Sequence, residues 1–363
     1  MKISEYLREQ VQLHPSMKPQ DAIKLCYQAS YGAEHLLKNV DTARFYFDEE
    51  YAGIEVVDDD EPLYECISEI SCRVNLRAWK KRKMPGEWLF NMFAQSNVPL
   101  VNSRFRLGYE KRNTFAVYLK EAELLIEEGI FGFGMEEWKQ FLSTYPMDAP
   151  VALHHSKEYH AAEKPAYRLV SRHYIKLFRV LEELAKLPDD KVKVVAIEGK
   201  CGSGKTIFAK GLASLLGAGT IHMDDFFLPE ELRTAERLAE PGGNIHYERF
   251  IEEVIPNVRN PETFAYGRFD CGKMAIRGER WVDAERLRIV EGSYSCHPKF
   301  GDYMDIRVFL DVDEAVQKSR LIDRDGGEIL EKFENVWIPM EQKYFAAFDI
   351  PGKADVTIWN QDL

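Results

Sequence analysis

Gly199-Lys200-Cys201-Gly202-Ser203-Gly204-Lys205-Thr206 is the stretch on which the reading of this chain turns. It matches the pattern G-x-x-x-x-G-K-[ST], and its flanks are the ones that pattern requires. Ahead of it, Val192-Lys193-Val194-Val195-Ala196-Ile197 is apolar and β-branched, as a buried strand would be. Behind it, Ile207 to Leu216 repeats apolar residues at helical spacing. Strand, glycine-rich turn and helix together form a nest of backbone N–H groups at a helix N-terminus, where a polyphosphate can settle. Gly199 to Thr206 are therefore the expected nucleotide-binding residues, with Lys205 reaching the β- and γ-phosphates and the Thr206 hydroxyl holding Mg²⁺. ATP and Mg²⁺ are the expected cofactors, with GTP in place of ATP left open.

Outward from this loop, strand and helix patterns alternate. Strands are expected at Thr220–Met223, Leu287–Val290, Ile306–Leu310 and Val356–Trp359, and helices at Ala315–Ile322 and Gly327–Phe345. Such βα alternation predicts an α/β fold, a parallel sheet with helices on both faces, with ligands bound at the carboxyl ends of the strands. Carboxylates cluster at those ends. Asp224 and Asp225 follow one strand in His222-Met223-Asp224-Asp225-Phe226-Phe227-Leu228-Pro229, and Glu291 ends another in Val290-Glu291-Gly292-Ser293-Tyr294. Phosphoryl transfer needs an anion to orient or deprotonate the acceptor, and cations to absorb charge on the moving group. Asp224 is the expected catalytic group, and Asp225 and Glu291 join Thr206 as expected metal ligands. The alternative for either aspartate is a helix cap. For Glu291 it is a solvated strand end. Arg320 and Arg324 stand at i,i+4 in Lys318-Ser319-Arg320-Leu321-Ile322-Asp323-Arg324-Asp325, where they could close over a triphosphate or pair with Asp323 or Asp325.

The phosphate loop, the Asp-Asp-Phe-Phe run, the Glu-Gly-Ser-Tyr strand end and the Arg-x-x-x-Arg-Asp segment together resemble the uridine kinase-like P-loop kinases. The Asp-Asp-Phe-Phe-x-Pro pattern is most similar to nicotinamide riboside kinases. The resemblance covers residues ~190–360. It implies a P-loop kinase-type sheet of order 2-3-1-4-5, Asp224 as base for an acceptor hydroxyl, Glu291 and Thr206 at Mg²⁺, and Arg320 with Arg324 as a lid. The implied activity is ATP-dependent transfer of the γ-phosphate to a hydroxyl of a nucleoside-, vitamin- or sugar-like molecule. The alternative is an ATP-binding switch whose turnover regulates the helical half. Acceptor recognition is expected from Phe227, His246, Tyr247, Arg249, Tyr266, Arg268 and Asp270. His246 and Glu248 stand where nucleoside kinases often carry an aspartate, a departure that leaves the acceptor unnamed.

The first half reads mainly as α-helix, with candidates at Pro19–Leu37, Thr42–Tyr51, Leu63–Arg77, Gly86–Ala94, Thr114–Glu128 and Met135–Leu142. The domain boundary is expected near Pro188, giving a helical domain over 1–187 and the kinase-like domain over 188–363. Two polar clusters, Tyr31-Gly32-Ala33-Glu34-His35 and His154-His155-Ser156-Lys157-Glu158-Tyr159-His160, point to hydrogen-bonded or ligand-contacting histidines. Arg73 and Arg77, with Arg168 and Arg172, could line an anion groove or serve only packing.

Composition limits the partners. Net charge is −12, which argues against a general binder of nucleic acid or anionic membranes. Six cysteines show no C-x-x-C pair, no apolar run is long enough to span a bilayer, and the charged start is unlike a signal peptide. A cytoplasmic protein acting on a small molecule is the expectation; oligomeric state is not legible.

Overall fold

The computed structural model describes residues 2–33, 37, 39–56, 61–97 and 109–361. Glu34 and His35 of the first polar cluster lie outside these described residues, as do 57–60. The chain forms two compact units, Met1–Ile175 and Lys176–Leu363.

The first unit is mainly helical. Its longer helices are Ile3–Leu13, Pro19–Tyr31, Val40–Gly53, Gly86–Ser96 and Tyr109–Glu127. Pro19 opens the second helix at a position where its missing N–H costs nothing. The helix expected over Leu63–Arg77 is instead mostly sheet. Strands β1 (Tyr64–Cys66) and β2 (Ser71–Asn75) form an antiparallel hairpin, which pairs through β2 with β3 (Tyr167–Ser171). The Ser68 hydroxyl explains the reversal: it accepts from the N–H groups of Ile70 at 3.3 Å and Ser71 at 3.1 Å, which turns the chain where a helix would have continued. Both faces of β2 are buried, and its alternation of Ser71, Arg73 and Asn75 with Cys72 and Val74 was a strand signal that the helical reading passed over.

The division between units falls ahead of the helix Phe178–Lys186, which the sequence reading placed in the first half. Its apolar side is buried and Arg179 donates to the Thr357 carbonyl at 3.0 Å, so it belongs with the second unit.

In the second unit five parallel strands form one sheet. They are β4 (Lys193–Gly199), β5 (Gly219–His222), β8 (Leu287–Glu291), β9 (Ile306–Asp311) and β10 (Val356–Trp359), in the order β10-β9-β4-β8-β5. Counted within this sheet alone, that is the expected 2-3-1-4-5 order. Val194 to Ile197 are all fully buried. Successive strand residues face opposite sides, so both faces of the sheet are covered. Val194 and Ala196 join a core with Phe309, Tyr344 and Phe345, the last two from the helix Ile338–Phe348.

A second hairpin was not foreseen. Strands β6 (Phe264–Asp270) and β7 (Ala275–Val282) pair antiparallel between β5 and β8 in the chain. The helix expected over Gly327–Phe345 is interrupted by a π-helical turn at Phe333–Trp337.

Candidate phosphoryl-transfer site

The phosphate loop follows β4, the middle strand, and the helix Lys205–Leu216 starts from Gly204, whose φ of +90° suits glycine. Gly199 has φ +143°, and a Cβ there would run into the Leu310 carbonyl on β9, so no other residue fits. The loop is fixed from outside. Lys200 pairs with Asp311 at 2.6 Å, Gln317 donates to the Cys201 carbonyl at 2.8 Å, and the buried Asn360 donates to the Ser203 carbonyl at 2.7 Å. Burial raises the Cys201 thiol to about 12, so it stays protonated at neutral pH.

A cavity of about 990 Å³ opens over this loop, large enough at the upper end of ligand pockets to hold two small molecules. Lys205 lines it, its ammonium donating to the carbonyls of Gly199 at 2.7 Å and Lys200 at 2.9 Å. Thr206 donates to Glu291 at 3.1 Å, and the other Glu291 oxygen meets His222 Nδ1 at 2.6 Å. This pairing exists because β8 lies between β4 and β5, which brings Glu291 level with Ile197 on one side and His222 on the other.

Asp224 lines the same cavity. Its side chain reaches the open space while protein walls surround it. That desolvation, with Glu291 adding like charge, holds its carboxyl above the usual range; Lys205 and His222 pull the other way. Asp225 points elsewhere. Its carboxylate takes the Arg280 guanidinium at 2.6 Å and the Tyr266 hydroxyl at 3.2 Å, and it is buried. Asp225, expected at a metal, is thus the buried half of an ion pair with the half-exposed Arg280, joining the Asp224 loop to the β6–β7 hairpin.

The metal expectation is narrowed to Thr206 and Glu291. These are hard oxygen donors, and Mg²⁺ commonly takes few protein ligands beside water and phosphate, so the pair fits that ion. Among the described residues no group of three His, Cys, Asp or Glu side chains forms a closed metal cage.

Arg320 and Arg324 both line the cavity from the helix Glu314–Asp325. Arg320 donates to the Gly202 carbonyl at 3.3 Å, and Arg324 lies over the Phe333 ring at 5.6 Å. The cavity face formed by Phe333, Val336, Trp337 and Met340 is apolar.

Of the expected acceptor residues, Phe227 lines the cavity; the others, apart from the exposed Arg268, are held by contacts within the fold. Arg249 is buried and bonds Glu253 and the carbonyls of Asp225 at 3.1 Å and Gly267 at 2.6 Å. His246 caps the helix Tyr247–Glu253. Tyr247 is clasped between Arg237, 3.5 Å from its ring centroid, and Lys299, at 3.6 Å. Tyr266 holds Asp225 and the His222 N–H. Asp270 accepts from the N–H of Gly272 at 2.9 Å in the hairpin turn, and Arg268 is exposed on that hairpin. The cavity wall comes instead from Arg233, Leu238, Asn244, Phe269, Cys271 and Met274.

Two further acids escaped the sequence reading. Glu341 accepts from the Cys201 N–H at 2.9 Å and the Ser293 hydroxyl at 2.5 Å. Glu198 lies directly behind the loop, buried, accepting from the N–H groups of Gly199 and Tyr294 and from the Tyr344 hydroxyl. Burial nonetheless pushes its carboxyl up to about 7. A glutamate immediately before the loop, inside an apolar strand, was the signal that could have found it.

In the first unit the arginines are internally paired: Arg73 with Gln10 and Gln28, Arg77 with Glu61, Arg168 with Glu50, and Arg172 with the Tyr6 hydroxyl. Arg73 and Arg77 also line a small cavity of about 60 Å³, shared with the acids Glu65 and Glu163. His155 bridges Asp21 at 2.9 Å and the Tyr167 hydroxyl at 2.7 Å, and burial lowers its pKa to about 4.

No family model matches the chain. Among solved structures it is similar to a "putative fructose transport system kinase" from Silicibacter sp. TM1040, with 22% identity, 50% of this chain and 95% of that chain covered, and TM-score 0.41. It is also similar to a "possible uridine kinase" from Bacillus stearothermophilus, with 16% identity, coverage of 51% and 98%, and TM-score 0.39. A third is a D-glycerate 3-kinase from Cryptococcus neoformans var. grubii, with 14% identity, coverage of 47% and 85%, and TM-score 0.33. These matches cover the C-terminal half and leave the first unit unmatched. Among the described residues no helix is long and apolar enough to cross a membrane. The sheet order, with the phosphate loop after the middle strand, gives the second unit a P-loop kinase-type α/β fold.

Proposed function

We propose that the second unit transfers the γ-phosphoryl group of ATP to a hydroxyl of a small molecule. The observation that carries this reading is the opening of Asp224 into the same cavity as Lys205, Thr206 and Glu291. A carboxylate facing the phosphate loop, separate from the Thr206–Glu291 pair, has the placement a base for an acceptor hydroxyl requires.

In this reading the acceptor oxygen attacks the γ-phosphorus in line, its proton passes to Asp224, and ADP leaves. The raised Asp224 pKa moves it toward the operating pH, which favours proton acceptance in the transition state. Lys205 would turn from its loop carbonyls to the phosphates, and Arg320 and Arg324 would take up charge on the moving group. Mg²⁺, held by Thr206 and Glu291, would supply further charge neutralisation at the phosphates. The apolar lid would exclude water, favouring transfer over hydrolysis.

The test is ATP consumption with and without hydroxyl acceptors. Acceptor-dependent turnover that falls at least a hundredfold in Asp224→Asn supports the reading. ATP hydrolysis indifferent to every acceptor and to that substitution overturns it, in favour of a nucleotide switch.

A further inference from the structure

The first unit holds a buried cation that no acid answers. Arg73, on β2, is 3% exposed, and a guanidinium this deep ordinarily has a carboxylate beside it. Its hydrogen bonds go to neutral amides instead. Nε and Nη2 donate to Gln28 Oε1 at 3.1 and 2.8 Å, and Nη1 donates to Gln10 Oε1 at 3.1 Å. The Tyr167 ring covers the group at 4.8 Å. A guanidinium has five N–H groups, and five less these three leaves two donors unspent among the described residues.

An acid is close at hand and is kept away. Glu65 on β1 stands directly opposite Arg73 in the β1–β2 ladder, the arrangement in which opposite charges pair. The Gln10 amide comes between them: its Oε1 accepts from Arg73, and its Nε2 donates to Glu65 Oε2 at 3.1 Å. His14 Nε2 meets that same Glu65 oxygen at 2.9 Å, and its Nδ1 meets Glu163 at 3.3 Å. Glu65 Oε1 has no hydrogen bond among the described residues and is not sealed from solvent.

Arg73 and Glu65 both line the cavity of about 60 Å³, together with Tyr159 and Glu163. Tyr159 is 1% exposed, and its ring stacks on His155 with centroids 4.3 Å apart. Its hydroxyl has no hydrogen-bond partner among the described residues, yet the oxygen keeps accessible surface. Arg77 and Asn75, also in the wall, are spent on Glu61 and on nearby main chain. The cavity therefore has a charge order. Arg73 and Tyr159 form its closed end, and the partly exposed Glu65 and Glu163 its open end. Burial disfavours a charge on His14, but its bonds to both acids outweigh that and raise its pKa, so an imidazolium offsets one acid and leaves the other.

We propose that this cavity binds the zwitterionic head of an α-amino acid. Its carboxylate meets the unspent Arg73 donors and the Tyr159 hydroxyl, and its ammonium meets Glu65 Oε1 beside Glu163. A carboxylate is the partner a guanidinium fork fits best. A simple anion would face the two acids at the mouth, and a simple cation would leave Arg73 unanswered. The volume is that of about four to six water-sized atoms, the size of an ammonium, α-carbon and carboxylate, so the amino-acid side chain extends through the open end.

The site is tested on the full chain by thermal shift with each of the common protein amino acids, followed by titration calorimetry. At least one is expected to raise the melting temperature and to bind one per chain. Its N-acetyl derivative lacks the ammonium and its carboxamide lacks the carboxylate. Each should bind roughly ten- to hundredfold more weakly, as should acetate. Tyr159→Phe removes only a hydroxyl and Glu65→Gln only a charge; a loss of about tenfold in either supports the site. Circular dichroism certifies that the variants are folded, and the blocked derivatives test the wild-type protein without any substitution.

If no amino acid binds, the cavity holds water alone and the inference falls. Equal binding of acetate or of either blocked derivative overturns the zwitterion. Wild-type affinity in both variants puts the ligand elsewhere and overturns the site. Each of these results leaves the kinase reading standing, because that reading concerns the second unit and is measured by phosphoryl transfer.

Discussion

Asp224 and Asp225 are neighbours in sequence, yet the structure gives them opposite work, and substituting each in turn separates the roles. Asp225→Ala removes the partner of Arg280 and of the Tyr266 hydroxyl. A hydrogen bond to a charged group contributes about 1.5–3 kcal/mol and a neutral one about 1 kcal/mol. Arg280 keeps 38% of its side-chain surface in solvent, so part of its loss is recovered by water. The expected destabilisation is then about 2–3 kcal/mol, lowering the melting temperature of the second unit by roughly 4–12 °C. Asp224→Ala removes a carboxylate whose charged form the folded state disfavours, through desolvation and Glu291. Its melting temperature should equal or slightly exceed that of the wild type, while turnover falls about 10²- to 10⁴-fold. Differential scanning calorimetry and ATP consumption on the same preparations read both quantities. Should Asp225→Ala melt like the wild type while Asp224→Ala loses several degrees, the division of labour drawn here is wrong.

Glu198 predicts a pH dependence. Its folded pKa, about 7, lies above the ordinary 4.5, so its contribution to stability is complete below pH 4.5 and is lost as pH rises through about 7. The full effect is ~3 kcal/mol. Urea unfolding at pH 5 and pH 8 should show it, and Glu198→Gln should flatten that slope; an identical slope in the variant would refute the assignment. Gly199→Ala should cost several kcal/mol and abolish nucleotide binding, because the new methyl meets a fixed main-chain carbonyl; calorimetry and a fluorescent ATP analogue measure the two effects. Chelating Mg²⁺ should eliminate turnover, and Thr206→Val should raise the Mg²⁺ concentration needed for half-maximal rate at least tenfold; an unchanged Mg²⁺ dependence would remove Thr206 from the metal site.

The failures of sequence reading share a cause. A helix was expected over Leu63–Arg77 because its apolar residues include stretches at helical spacing, while the period-two run from Ser71 to Asn75 pairs as β2 with both β1 and β3. Asp225 was expected at a metal because it adjoins Asp224, and its true partner, Arg280, lies on a hairpin whose strands carry too many polar residues to announce themselves. The expected acceptor residues Tyr247, Arg249 and Tyr266 are of the right chemical types, yet their polar groups are already used within the fold.

Sequence by itself determined the phosphate loop, the five strands of the parallel sheet and the placement of Asp224, Glu291, Arg320 and Arg324 around one cavity. These were legible because strand, glycine turn and helix are contiguous, and because parallel strands deliver their carboxyl ends to one edge. Tertiary structure alone decided which acids are free to act and which are held by a cation. It also decided that Glu341 braces the loop. Those outcomes depend on which side chains, often tens of residues away, reach a given polar atom first, and local pattern carries no record of that competition.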